Sequence, residues 1–247
     1  MAYAVLMAVW AVLGLPVAAI TIPWTMATGD VRLLYGLSLA VMRAGLRAAG
    51  VRVVVEGREQ VPRGRACLYM ANHQSNLDPP LLAGVQPGNA AMMVKHSLMR
   101  IPVLGFAMRL AHCVPVERTG GLESAKQSLG QAAAVLERGL SITIFPEGTR
   151  SADGRLLPFK KGPFFVAMQT GVPVVPVTIS GTGVMLAKGS RRLHPGVARV
   201  RFHAPLDPAS YRTRDALLAA VRAAIASALP AGPDEAAEPE EAVARAR

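Results

Sequence analysis

The chain has 247 residues, enough for one substantial core, and 51% of them are hydrophobic while 17% are charged. Its net charge is +11, and the body is more basic still, because the segment after Pro230 holds five acidic and two basic residues. Such a surface attracts phosphate groups, but 5% aromatic content and the lack of a nucleic-acid motif argue against DNA or RNA as partner. Cys67 and Cys113 lie in apolar runs without metal-ligand spacing, so they read as reduced core thiols. There is no Gly-x-Ser-x-Gly elbow, Walker loop or Gly-x-Gly-x-x-Gly fingerprint, which disfavours elbow hydrolases, P-loop enzymes and dinucleotide enzymes. No metal or redox cofactor is expected.

Met1 to Thr28 contain no Asp, Glu, Lys or Arg. About 20 apolar residues cross a bilayer, and a signal peptide usually begins with basic residues, which are missing here; the run is expected to stay as a membrane anchor. Pro16 and Pro23 interrupt it, so a kinked span and a re-entrant or interfacial hairpin both fit. Arg32, Arg43 and Arg47 place the following side in the cytoplasm by the positive-inside rule, at the inner face of the cell membrane. Residues 31–49 are helical in pattern and fit either an interfacial helix or a core-facing one.

From residue 51 onward, apolar runs alternate with helical patterns. Strands are expected near 51–56, 66–71, 91–95, 112–117, 141–145, 174–179 and 197–203, and helices near 79–84, 103–110, 123–138, 161–170 and 212–229. This alternation predicts an α/β fold: a single domain over 51–230 with a largely parallel central sheet flanked by helices, preceded by a hydrophobic anchoring segment over 1–50. The Ala, Glu and Pro-rich tail over 231–247 reads as disordered.

Chemistry concentrates where the apolar run Ala66 to Ala71 gives way to Asn72-His73-Gln74-Ser75-Asn76-Leu77-Asp78-Pro79-Pro80. Function in α/β folds collects at the carboxyl ends of strands. On one helix, five residues of separation would turn His73 and Asp78 roughly 140° apart, so a loop entering a helix is the better geometry. Asp78-Pro79 then reads as a helix N-cap followed by proline at the first helical position, with His73 beside it. The plainer alternative is a capping aspartate and a satisfied loop histidine.

A second apolar run, Leu140 to Phe145, opens onto Pro146-Glu147-Gly148-Thr149-Arg150-Ser151. The two blocks together, His73-x4-Asp78 and Phe145 to Ser151, resemble the glycerolipid acyltransferase family, most closely its 1-acyl-sn-glycerol-3-phosphate (lysophosphatidic acid) acyltransferase branch. Lys95-His96-Ser97-Leu98, with Ile101 to Gly105 and Val114 to Arg118, looks like the family's second block, and Val172 to Val177 like its fourth.

The resemblance implies transfer of a fatty acyl chain from acyl-CoA or acyl-carrier protein to the sn-2 hydroxyl of lysophosphatidic acid. The product is phosphatidic acid, a step of phospholipid biosynthesis at a lipid membrane. It implies His73 as general base, since a hydroxyl is a weak nucleophile until its proton is removed. Asp78 would hold the imidazole tautomer, in the manner of a serine-hydrolase pair without the enzyme's own serine. Arg118 and Arg150 are implied phosphate ligands, with Lys95 and Lys160 as weaker candidates. Gly148 is a candidate oxyanion donor through its amide, and Glu147 a candidate for orienting Arg150 or a substrate hydroxyl, with Thr149 between them. Another acceptor, such as a lyso-ornithine lipid or glycerol phosphate, or a non-catalytic membrane lipid-binding role, would use the same residues differently.

Overall fold

The computed structural model describes residues 1–117 and 121–230. In chain order it holds α1 (Ala2–Thr28), α2 (Arg32–Ala48), β1 (Val51–Glu56), β2 (Leu68–Ala71), α3 (Asp78–Val85), β3 (Ala90–Lys95), α4 (Leu104–Leu110) and β4 (Val114–Val116). These are followed by α5 (Gly121–Glu137), β5 (Ser141–Ile144), α6 (Gly162–Thr170), β6 (Val174–Ser180), α7 (Thr182–Met185), β7 (Gly196–Phe202) and α8 (Arg214–Ala226). The elements expected between 51 and 230 are present with modest shifts at their ends. The single turn α7 was not foreseen, because four residues are too few to display a 3.6-residue period. The tail over 231–247 lies outside the described residues.

The strands form one sheet in the order β1-β7-β6-β2-β5-β3-β4. β6, β2, β5, β3 and β4 run parallel, so their carboxyl ends share one edge; β7 runs against β6 and is parallel to β1. The central strands are buried along their length: Leu68, Met70, Ile142 and Ile144 face the layer of α5, α6 and α8, while Tyr69, Ala71, Val175 and Val177 face the layer of α2 and α3. Burial on both sides explains why these strands read as continuous apolar runs rather than alternating ones.

α1 is continuous, with Pro16 and Pro23 inside it. At 1.5 Å per residue its 27 residues reach about 40 Å, enough to cross a bilayer. It turns at Gly29–Val31 and runs back along α2, for Trp10 Nε1 donates to the Met42 carbonyl at 3.3 Å and Leu6 packs with Leu46 and Ala49. The pair is therefore an antiparallel hairpin whose open end rests on the α/β body. Its outer surface is apolar and exposed at Val5, Val12, Leu13, Leu15, Ile20, Trp24 and Met26.

Gly45 makes the close approach possible, because a Cβ there would overlap the Trp10 indole. Gly45→Leu is expected to part α1 from α2 while leaving the sheet folded. The emission of Trp10, read in a Trp24→Phe background, should shift and the helix pair should become more sensitive to protease, with far-UV circular dichroism of the domain retained.

Candidate active site

Asp78 has no exposed surface, and a buried carboxylate is tolerable only when hydrogen bonds replace its water. Four donors do so. Oδ2 accepts from the Gln74 amide at 2.6 Å and the Ser75 amide at 2.7 Å and lies 2.8 Å from His73 Nδ1; Oδ1 accepts from Thr182 Oγ1. The expected N-cap is corrected here: Leu77 caps α3, Asp78 is its first residue, Pro79 its second, and the carboxylate turns back into the preceding loop. A carboxylate only accepts, so His73 Nδ1 carries the proton of this bond, and in the neutral ring Nε2 presents its lone pair. The imidazole keeps 11% of its side-chain surface, stacked on Phe145 at 4.3 Å between centroids.

The β5 loop locks the backbone of the same histidine. Glu147, 2% exposed, accepts from the His73 amide through Oε1 at 2.7 Å and from the Leu157 amide through Oε2 at 2.9 Å. The Ser151 amide donates to the His73 carbonyl at 2.8 Å. Glu147 is thus committed to His73 and Leu157, which corrects the expectation that it orients Arg150. Burial is the largest influence on it and pushes its carboxyl up to about 7, opposed by those two amides, while the charge of nearby Asp78 adds to the rise and that of Arg222 counters it.

Arg222 of α8 also holds the far side of this clamp. Its guanidinium donates to the Leu157 and Leu156 carbonyls at 2.6 and 2.9 Å and lies over the Phe159 ring.

The other expected site residues divide. Gly148 has φ 69° and its amide donates to the Phe145 carbonyl at 3.0 Å, so that N–H closes a turn and the oxyanion role expected of it is withdrawn. Thr149 and Arg150 are half-buried in the same loop. Lys160 is exposed, its amide donates to the Pro146 carbonyl at 2.8 Å, and its stem lies beside Gly148. Lys95 ends β3 opposite Val116, exposed at the same sheet edge. Arg118 lies outside the described residues.

Sequence reasoning missed Asn72, Ser75, Thr182, Lys188 and Arg222. Asn72 bonds both the amide and the carbonyl of Ile179 and so ties the end of β2 to β6; Ser75 Oγ donates to the Leu186 carbonyl; Lys188 Nζ donates to the Arg150 carbonyl at 2.9 Å. Asn72 and Ser75 stood inside the first motif and could have been suspected. Thr182 and Arg222 reach the site from distant elements and leave no local signal. Among the described residues no cluster of His, Cys, Asp and Glu could hold a metal ion. A groove of about 880 Å³ runs between α2, α3, α7, β1 and β7, and His73 does not line it.

Parallel strands whose loops meet at a buried His–Asp pair define an α/β protein with its candidate site at the carboxyl edge of the sheet. The Acyltransferase family model matches residues 52–180, and the chain belongs to that family. It is 41% identical over 155 residues to the chloroplastic 1-acyl-sn-glycerol-3-phosphate acyltransferase BAT2 of Brassica napus, covering 62% of this chain and 44% of that one. With the alpha form of the human enzyme of that name it shares 34% over 159 residues, 64% of this chain and 56% of that one. The chain thus spans about half the length of these curated relatives. The crystal structure of the 1-acyl-sn-glycerophosphate (LPA) acyltransferase PlsC from Thermotoga maritima superposes with a TM-score of 0.79 at 27% identity, covering 96% of this chain and 97% of that one.

Because the folded-state pKa of Glu147 lies above its unfolded value, the folded chain keeps a proton that the unfolded chain has lost. Stability from this group is full below about pH 4.5 and falls as pH rises toward 7. At 1.36 kcal/mol per unit, wild type should lose about 3 kcal/mol relative to Glu147→Gln across that window, measured by denaturant unfolding in detergent.

Proposed function

We propose that the protein transfers a fatty acyl chain from acyl-CoA or acyl-carrier protein to the sn-2 hydroxyl of 1-acyl-glycerol-3-phosphate, forming phosphatidic acid. The observation that carries this reading is the His73 Nδ1 to Asp78 Oδ2 contact of 2.8 Å, with the opposite ring nitrogen left to act. In the proposed step Nε2 takes the hydroxyl proton as the oxygen attacks the thioester carbonyl. Asp78 stabilises the imidazolium that forms. The tetrahedral intermediate collapses, the carbon–sulfur bond breaks, and the proton passes from Nε2 to the leaving thiolate. A thioester is already activated, so this chain needs no nucleophile of its own.

Arg150 and Lys188, with Lys95 and Lys160 at the same edge, supply positive charge for the acceptor's phosphate. Arg118, in the same motif block, is proposed for the same role by resemblance alone. The names of the relatives and of the Thermotoga protein support this choice of acceptor. The apolar hairpin supports membrane association, and the arginines after α1 support a catalytic domain on the cytoplasmic face.

Transfer of labelled acyl groups to lysophosphatidic acid by detergent-solubilised protein tests the reading. His73→Ala should lose on the order of 10² to 10⁴ in rate while remaining folded, and a folded His73→Ala that turns over normally sinks the base assignment. Activity confined to a lyso-ornithine lipid or to glycerol phosphate would move the acceptor, and none with any acceptor would leave a lipid-binding protein.

Arg222→Leu tests the outer support. With no contact to the reacting atoms expected, it should lower kcat, leave KM for the acceptor nearly unchanged, and raise the pH at which Glu147 ionises.

A further inference from the structure

The segment between β3 and α4 exposes apolar side chains at the same sheet edge as the histidine. Leu98, Ile101, Val103 and Leu104 keep 36%, 44%, 42% and 40% of their surface. The backbone that presents them is strained: Val103 has φ 61° and ψ −61°, and the Leu104 amide donates to the Pro102 carbonyl at 2.6 Å, closing a γ-turn of the rare positive-φ kind. A β-branched residue is among the least suited to that region. Such strain persists where the surroundings over-determine it, and here they do. Gly105 packs so tightly under Met99 that a Cβ would strike the Met99 backbone, and Arg109 Nη1 donates to the Met99 carbonyl at 3.0 Å.

The loop is rigidly joined to the site and stands beside the hairpin. Met99 is buried with Met92 and Val94 in a cluster against which Phe145 packs, and the Phe145 ring stacks on His73. α4, the next element, packs against α1. Lys95, Arg100 and Arg109 are exposed around the apolar tip. An apolar tip with a basic collar, next to a long apolar helix, complements one partner: a bilayer whose headgroups are anionic.

We propose that residues 98–104 form a second lipid-contacting element, inserting Ile101, Val103 and Leu104 among the headgroups and seating the mouth of the His73 site at the membrane surface. The inference rests on the reading of the α1–α2 hairpin as membrane-bound and does not depend on the acyl-transfer reaction. It gives the strained turn a reason: the γ-turn holds outward the side chains that the lipid then covers.

The test places an environment-sensitive nitrobenzoxadiazole label at Ile101→Cys in the full chain, in a Cys113→Ala background, and in parallel at Arg138→Cys, which lies just before the opposite end of β5. Vesicles of phosphatidylcholine with one quarter phosphatidylglycerol are added, and vesicle binding is scored separately by flotation. At position 101, emission should shift to the blue, iodide quenching should fall several-fold, and lipids brominated along the acyl chain should quench; position 138 should report water throughout. Flotation with an unchanged label at 101 overturns the loop while the hairpin reading stands. Failure to float overturns both, and shielding of position 101 without vesicles points to a second copy of the chain and overturns the lipid assignment. Val103→Gly, which keeps the positive φ without strain, should melt no lower than wild type yet bind the same vesicles several-fold more weakly.

Discussion

The architecture of the site follows from the need to satisfy one carboxylate that has no contact with water. Asp78 gathers two amides from the loop before it, a hydroxyl from beyond β6, and the imidazole of His73, and each donor comes with a constraint on the backbone that carries it. The loop over 73–75 is wound tightly enough to point consecutive amides inward, and α7 is anchored against α3. An unpaired buried charge costs several kcal/mol, so this arrangement is all or nothing. His73 inherits its tautomer and its orientation from that demand.

A second buried carboxylate solves a different problem on the same residue. Asp78 governs the imidazole, whereas Glu147 and Ser151 fasten the peptide on either side of the His73 Cα. The ring rests on Phe145, two residues before Glu147, so the β5 loop supports the histidine through packing as well as hydrogen bonds. Two carboxylates near each other raise the cost of ionising both, and Arg222 offsets part of that cost while pinning the Leu156–Leu157 strap. The two motif blocks are thus two halves of one clamp.

Parallel strands make this convergence possible. β2, β3, β4, β5 and β6 end on one edge, which gathers the two motif loops, Lys95, α7 and the apolar loop after β3. The α1–α2 hairpin rests on the face covered by α3, whose first residue is Asp78. A buried histidine, a set of cations and an apolar surface thus lie along one edge, the arrangement on which the proposed acceptor, with its phosphate and hydrocarbon chain, rests.

Much of this was legible in the linear chain. Buried parallel strands must be apolar on both faces, so β2, β5 and β6 announced themselves as uninterrupted runs, and the helices showed through their 3.6-residue period. The position of His73 and Asp78 at a strand end could be read because local spacing excludes a shared helix face. Tertiary structure alone decided what each polar group does. Asp78 looked like both a cap and a partner of His73, and Glu147 like a partner for Arg150 or a substrate hydroxyl; folding kept His73 on the first and added Thr182 with the Gln74 and Ser75 amides, and it gave the His73 and Leu157 amides to the second. Gly148 kept its turn and lost its free amide for the same reason. Hydrogen bonds between residues 74 and 104 positions apart, as in Glu147 to His73 and Thr182 to Asp78, depend on strand order and on which ends share an edge, and no local pattern encodes either.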